Sequence, residues 1–253
     1  MAVKDITLGQ FYPVESAIHR LDPRTKIIGT LAYLVSLFCV KNFSGFLIAA
    51  VFLTLCIWLS KVPVKFIFRG LKAIIILIIF TAAINIIAAS VRTAAFMAIR
   101  LILLILGSSL LTLTTKPITL TDGLERLFSP LSKIGLPTHE LAMMISIALR
   151  FIPTLMDETD KIMKAQSARG ANFETGKLKD RAKALIPLLV PLFVSAFRIA
   201  SDLAMAMEAR CYHGGNGRTR MNRMKLSQKD LFSALILCAY FAVIILLNKL
   251  WIF

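Results

Sequence analysis

The chain is poor in charge, poorer in acid, and almost without histidine. Charged residues fill 17% of its 253 positions, and there are three histidines and four cysteines. Globular domains run at about 25% charged and about 45–50% apolar residues, whereas 57% of this chain is hydrophobic. A soluble fold with that balance could not cover its own surface. That excludes an ordinary soluble enzyme and a disordered chain. The cysteines form no C-x-x-C pair: Cys39, Cys56 and Cys238 sit in apolar runs and Cys211 stands alone in a polar region, so neither a disulfide framework nor a zinc site is indicated. Cys211 and His213 lack a third ligand nearby, and no nucleophile–base set can be assembled around His19, His139 and isolated serines. There is no G-x-x-x-x-G-K-[ST] phosphate loop, so this chain is expected to hydrolyse no ATP. Gly214-Gly215-Asn216-Gly217-Arg218 follows a helical pattern and reads as a turn. No Asp or Glu occurs between Asp22 and Asp122. Carriers driven by protons or sodium place carboxylates inside the membrane, and their absence argues against a self-sufficient carrier or channel.

Long uncharged runs are abundant. About 20 apolar residues cross the hydrocarbon as a helix. The runs at Ile27–Val40 (short, extended by its flanks), Asn42–Ser60, Ala73–Val91, Thr93–Thr115 and Leu231–Asn248 predict five transmembrane helices in an all-α polytopic protein. Asp22 is placed to cap the first helix and Pro23 to open it. The first residues, with Lys4 and Asp5 and no basic-then-apolar run, are not expected to form a cleavable signal peptide. With the N-terminus inside, 26 of the 30 Lys and Arg fall on the cytoplasmic side, as the positive-inside rule requires. Arg100 lies within a span; it either snorkels to the outer headgroups or contacts another helix or subunit.

The formal net charge of +16 suits cytoplasmic loops beside anionic lipid. Nucleic acid is not expected as a partner: residues 116–230 hold eighteen cations but also eleven acids, without aromatic–basic interleaving. This stretch separates segment 1–115, with four helices, from the closing segment 231–253. A helix start is expected at Thr121-Asp122-Gly123-Leu124-Glu125, with Leu124, Leu127, Phe128 and Leu131 on one face. A long helix is expected over Thr138–Arg169, with Thr138 as N-cap and a kink at Pro153, and another over about Leu178–Arg210. Their apolar parts, 141–149 and 184–197, look too short to span, although 141–156 and 184–200 could be two further spans. Each is apolar at one end and polar at the other. The apolar ends therefore need lipid, each other, or a partner. Met143, Met144, Met156, Met163, Met205 and Met207 fit a repackable contact surface. Asp157, Glu158 and Asp160, interleaved with Lys161 and Lys164, read as a solvated face.

Both long helices close on the same pattern: Ala168-Arg169-Gly170 and, 41 residues later, Ala209-Arg210-Cys211. A small residue lets a helix tip enter a groove, and an arginine fork can clamp a carboxylate there. With these motifs and the N-terminal string Gly9-Gln10-Phe11-Tyr12-Pro13 … Ser16-Ala17-Ile18-His19-Arg20-Leu21-Asp22-Pro23-Arg24-Thr25-Lys26, the chain resembles the transmembrane T components of energy-coupling factor (ECF) transporters. Leu21, Asp22, Pro23, Arg24 and Lys26 carry the most specific part of that likeness. The resemblance implies a multi-pass plasma-membrane scaffold joining two ABC-type ATPases to a small substrate-binding membrane subunit for vitamin or metal-ion uptake. It implies that 116–230 holds a cytoplasmic pair of coupling helices whose arginines pair with acidic residues of the ATPases. ATP and Mg would be bound by those partners, and this chain would carry no cofactor, metal or catalytic residue. Cys211 stands where the family pattern has glycine, which puts the geometry of that helix end in question.

Overall fold

A computed structural model describes residues 11–88, 90–130, 137–171, 178–212, 214 and 227–250. The described residues form α1 (Pro23–Cys39), α2 (Phe43–Ser60), α3 (Val64–Ala88), α4 (Val91–Thr114), α5 (Pro117–Phe128), α6 (Thr138–Ala168), α7 (Leu178–Ala209) and α8 (Gln228–Leu250), with no strand among them. Two compact units result. One holds α1–α5 and α8; the other holds α6 and α7.

In the first unit, α1 packs on α4, α5 and α8, and α4 packs on α2 and α3 as well. The core is Tyr33, Leu37, Phe46, Ala49, Leu53, Leu103, Leu106, Tyr240 and Ile244. Tyr33 lies against Gly107, where an added Cβ would meet the ring at 2.5 Å. Helices without strong hydrophobic drive between them associate through such close approaches. Phe52 stacks on Tyr33 (6.0 Å) and on Tyr240 (4.4 Å), and the two tyrosine rings lie 6.1 Å apart. Buried Ser36 donates to the Tyr33 carbonyl at 2.6 Å, so its oxygen is free to accept from the Tyr240 hydroxyl at 2.8 Å. These two buried hydroxyls therefore each have a partner, as an apolar interior demands.

The C-terminus of α1 is held by two side chains. Arg100 donates to the Val40 carbonyl at 3.0 Å, and Asn248 donates to the Cys39 carbonyl at 2.8 Å. Helix ends leave carbonyls without intrahelical donors, and hydrocarbon offers no water to replace them. The guanidinium also lies 4.9 Å from the Phe96 ring centre and 5.8 Å from those of Phe38 and Phe46. Of the two alternatives for Arg100, the contact to another helix is the one found.

Among the described residues, five helices are long and apolar enough to cross a membrane: α2, α4, α6, α7 over Leu185–Ala209, and α8. The two parts of α3, bent by 56°, make a sixth if taken as one span. The count of five matches the expectation, but the set differs. With 17 residues, α1 is shorter than these. Conversely, α6 and α7 qualify because each contains an 18-residue apolar stretch with at most two charges.

In the second unit, Ile147, Phe151 and Leu155 of α6 line one apolar seam with Ala196, Ile199, Ala200 and Leu203 of α7. Little else is covered: 6% of the most apolar stretch of each helix is buried, against 28% for α2.

Two local readings need correction. The N-cap of α6 is Pro137, with no side-chain cap bond, rather than Thr138. Pro153 lies inside this helix. And α5 starts at Pro117, a residue suited to a first turn because it has no N–H to leave unpaired, so Thr121 lies inside the helix rather than at its start. Its buried residues are Thr121 and Gly123; Phe128 is exposed. Leu131 lies outside the described residues.

Candidate functional site

The two repeated motifs form the same structure. At the end of α6, the amide of Gly170 donates to the Ser167 carbonyl and that of Ala171 to the Gln166 carbonyl, both at 3.0 Å. At the end of α7, the amide of Cys211 donates to Glu208 O at 2.8 Å and that of Tyr212 to Met207 O at 3.0 Å. Both are the paired 5→2 and 6→1 bonds of a Schellman cap, which needs a left-handed residue after the helix. Gly170 supplies it at φ 91° and Cys211 at φ 54°. The cysteine thus preserves the glycine geometry, at a backbone cost of about 1–2 kcal/mol. In both motifs the alanine, the arginine and the residue after it are exposed. Nothing lies within 4 Å of where a Gly170 Cβ would be, so that glycine is required by φ alone.

The tips lie far apart along the pair. The Tyr212 hydroxyl, just beyond the second tip, donates to Met143 Sδ at 3.0 Å near the start of α6. The first tip is at the other end of α6. From Met143 to Arg169 the helix runs roughly 39 Å at about 1.5 Å per residue.

The N-terminal string forms a buried polar clasp in the other unit. Asp22 caps α1, accepting from the Arg24 amide at 3.0 Å, with Pro23 opening the helix. Arg24 Nε lies 3.8 Å from the same carboxylate oxygen. Leu21 closes the preceding turn on the Ile18 carbonyl. Lys26 is 9% exposed, and its ammonium donates to the His19 carbonyl (3.1 Å) and to the Thr114 carbonyl at the end of α4 (3.0 Å). The Tyr12 amide takes the neighbouring Leu113 carbonyl at 2.9 Å. The string therefore caps the C-terminus of α4 while opening α1.

His19 sits at the centre of this clasp. The Tyr12 carbonyl, 3.1 Å from Nε2, can only accept, so Nε2 carries the proton. Nδ1 then accepts from the Ser16 hydroxyl at 2.7 Å. Burial, and next the positive charge of Lys26, push the imidazole below its ordinary 6.5. The ring is a neutral strut.

Asp230, at the start of α8, was not singled out by the sequence reading. It is 4% exposed. One oxygen accepts from the Asp22 amide and the other from the Ser227 amide, both at 2.8 Å. The available signal was an acid in the first turn of an otherwise apolar helix. His213, Gly215–Gly217, Arg218, Gly9 and Gln10 lie outside the described residues. Among the described residues, no group of three or more His, Cys, Asp or Glu is placed to hold a metal.

Apolar helices too long and too bare for water define an all-α, multi-pass membrane protein. Residues 14–221 match the CbiQ family, cobalt transport protein. Similar proteins named "Energy-coupling factor transporter transmembrane protein EcfT" include those of Clostridium kluyveri, 54% identical over 98% of both chains, and Thermosediminibacter oceani, 51% identical over 90% of this chain and 92% of its own. The one from Bacillus subtilis is 45% identical over 92% of this chain and 95% of its own. The chain belongs to this family of transporter transmembrane components.

Proposed function

We propose that the chain is the scaffold and coupling subunit of an ECF-type importer. It lies in the plasma membrane with its N-terminus in the cytoplasm, joins two ABC-type ATPases to a small substrate-binding membrane subunit, and serves uptake of a vitamin or metal ion. ATP and Mg are bound by the partners, which hydrolyse the ATP; this chain contributes no catalytic residue or cofactor. The observation that carries the reading is the pair of identically capped, exposed arginine tips at opposite ends of α6 and α7. One globular partner would have to span roughly 39 Å of helix to engage both, whereas two copies of one ATPase fold need two like tips set apart. Each arginine fork would pair with a carboxylate in its groove.

The bare apolar surface supports a second contact. Ile186, Val190, Phe193, Val194 and Phe197 are all more than half exposed at helical spacing. A membrane subunit seated there would receive movement from the tips directly. The cation distribution supports the orientation.

Charge reversal tests the assignment. In cells carrying the full set of partners, Arg169→Glu and Arg210→Glu should each lower ATP-driven uptake at least tenfold, with Arg→Lys losing less because it keeps the charge without the fork. Normal assembly and transport by both reversed variants would refute the clamp.

A further inference from the structure

Charge is divided between the two ends of the bundle formed by α1–α5 and α8. Its five acids gather at one end. Glu15 and Asp22 lie before α1, Asp230 accepts from the Asp22 amide, and Asp122 and Glu125 sit beside Gly123, where an added Cβ would come within 2.9 Å of Pro23 Cβ. The other end holds Lys41, Arg92, Arg100 and Lys249 and no acid. Contacts bring these cations together. Arg100 donates to the carbonyl of Val40, the residue before Lys41, and Asn248, the residue before Lys249, donates to that of Cys39. Arg92 lies 5.9 Å from the Phe43 ring centre, Phe43 lies 5.5 Å from Phe96, and Phe96 lies 4.9 Å from the Arg100 guanidinium. Lys41, Arg92 and Lys249 are exposed. Among the described residues, none of the four forms an ion pair.

The Val40 carbonyl takes one bond from a guanidinium that has five N–H groups to give. A cation beside hydrocarbon needs an opposite charge, and the bundle supplies none at this end. An apolar track leads to the same place. Ile28, Leu31, Val35 and Phe38 are each at least half exposed along one face of α1, and Phe38 lies 5.8 Å from the Arg100 guanidinium. Ten residues of helix measure about 15 Å, half of the roughly 30 Å hydrocarbon core. That is the depth of one leaflet. We propose that this end of the bundle binds an anionic phospholipid, its phosphate held by Lys41, Arg92 and Arg100 and one acyl chain lying on the α1 track. Charge complementarity selects the headgroup: a zwitterionic lipid would bring a further cation to a cluster that has no acid. The site is independent of the coupling role. With the N-terminus in the cytoplasm it faces the outer leaflet.

A tryptophan on the track reports which lipid lies there. Val35→Trp is introduced with Trp58→Phe and Trp251→Phe, and the full chain is reconstituted in phosphatidylcholine vesicles containing a minor fraction of phosphatidylglycerol. Acyl chains of one lipid or the other are brominated, and quenching at equal mole fraction gives their relative occupancy. Phosphatidylglycerol should be favoured at least about fivefold, the effect of one surface cation on an anionic lipid. Lys41→Gln with Arg92→Gln, both at exposed positions, should bring the ratio to about one, and Arg100→Gln should lower it as well. Lys61→Gln with Lys65→Gln, exposed cations between α2 and α3 at the opposite end, should leave it unchanged. Equal quenching by the two lipids in the chain with all its cations would overturn the proposal. So would a preference that survives the Lys41, Arg92 double variant. An equal fall in the Lys61, Lys65 variant would also overturn it, because that is general attraction to a basic protein rather than a site.

Discussion

Cys211 occupies a backbone conformation that suits glycine, at φ 54°, and α7 ends normally around it. The strain of a side chain in that region is about 1–2 kcal/mol. Cys211→Gly should therefore tighten the end of α7 by about 1 kcal/mol, read as slower hydrogen exchange at the amides of residues 211 and 212. Unchanged exchange would mean the strain is absorbed elsewhere. His19 makes the opposite kind of statement, about pH. Its folded pKa lies below the unfolded 6.5, so the unfolded chain binds the extra proton first. Its contribution is complete above 6.5 and is lost as pH falls through the folded value. Thermal stability of the purified protein should decline below pH 6.5, and His19→Gln should flatten that decline. Asp22 and Pro23 were legible one residue at a time because capping is local chemistry. Asp230 was not, since its partner lies 208 residues away.

At the scale of helices, the close approach of α1 and α4 turns on Gly107. Adding even a methyl group there drives it into the Tyr33 ring. Gly107→Ala should cost about 1–3 kcal/mol, the usual penalty of overpacking, measured as a lower unfolding midpoint in detergent. Arg100→Leu keeps the apolar bulk but leaves the Val40 carbonyl without its donor, a loss of about 1–3 kcal/mol in a dry site. The existence and order of the helices could be read from apolar runs and proline positions. The burial of α5 could not: its leucines follow an amphipathic period, yet the residue that lies on α1 is Gly123, because close backbone approach selects small residues over large ones. Hydropathy also could not separate α6 and α7 from spans. Their apolar halves satisfy the same length rule as α2 and α8, and what covers a helix is a tertiary and quaternary matter.

The whole molecule divides into a packed bundle and a sparsely packed pair. The bundle spends its few polar side chains on its own helix ends: Arg100 and Asn248 on α1, Lys26 on α4, Asp230 on α8. The pair leaves its arginines and its apolar face outward. On the coupling role proposed above, α6 and α7 bind the partners and the N-terminal string holds the bundle together, two roles that the family resemblance did not separate. The motifs Ala168-Arg169-Gly170 and Ala209-Arg210-Cys211 could be read as helix ends because glycine and arginine have known places there. Their common cap geometry, with cysteine in the glycine role, required the backbone. The coupling role is tested most directly by expressing the tagged chain with its native neighbours and identifying what copurifies in mild detergent, beside the Arg169→Glu, Arg210→Glu double variant. Two ABC-type ATPases recovered with the wild type and lost from the variant is the predicted result. A homo-oligomer without ATPases would contradict the account and move a stand-alone channel or carrier to first place.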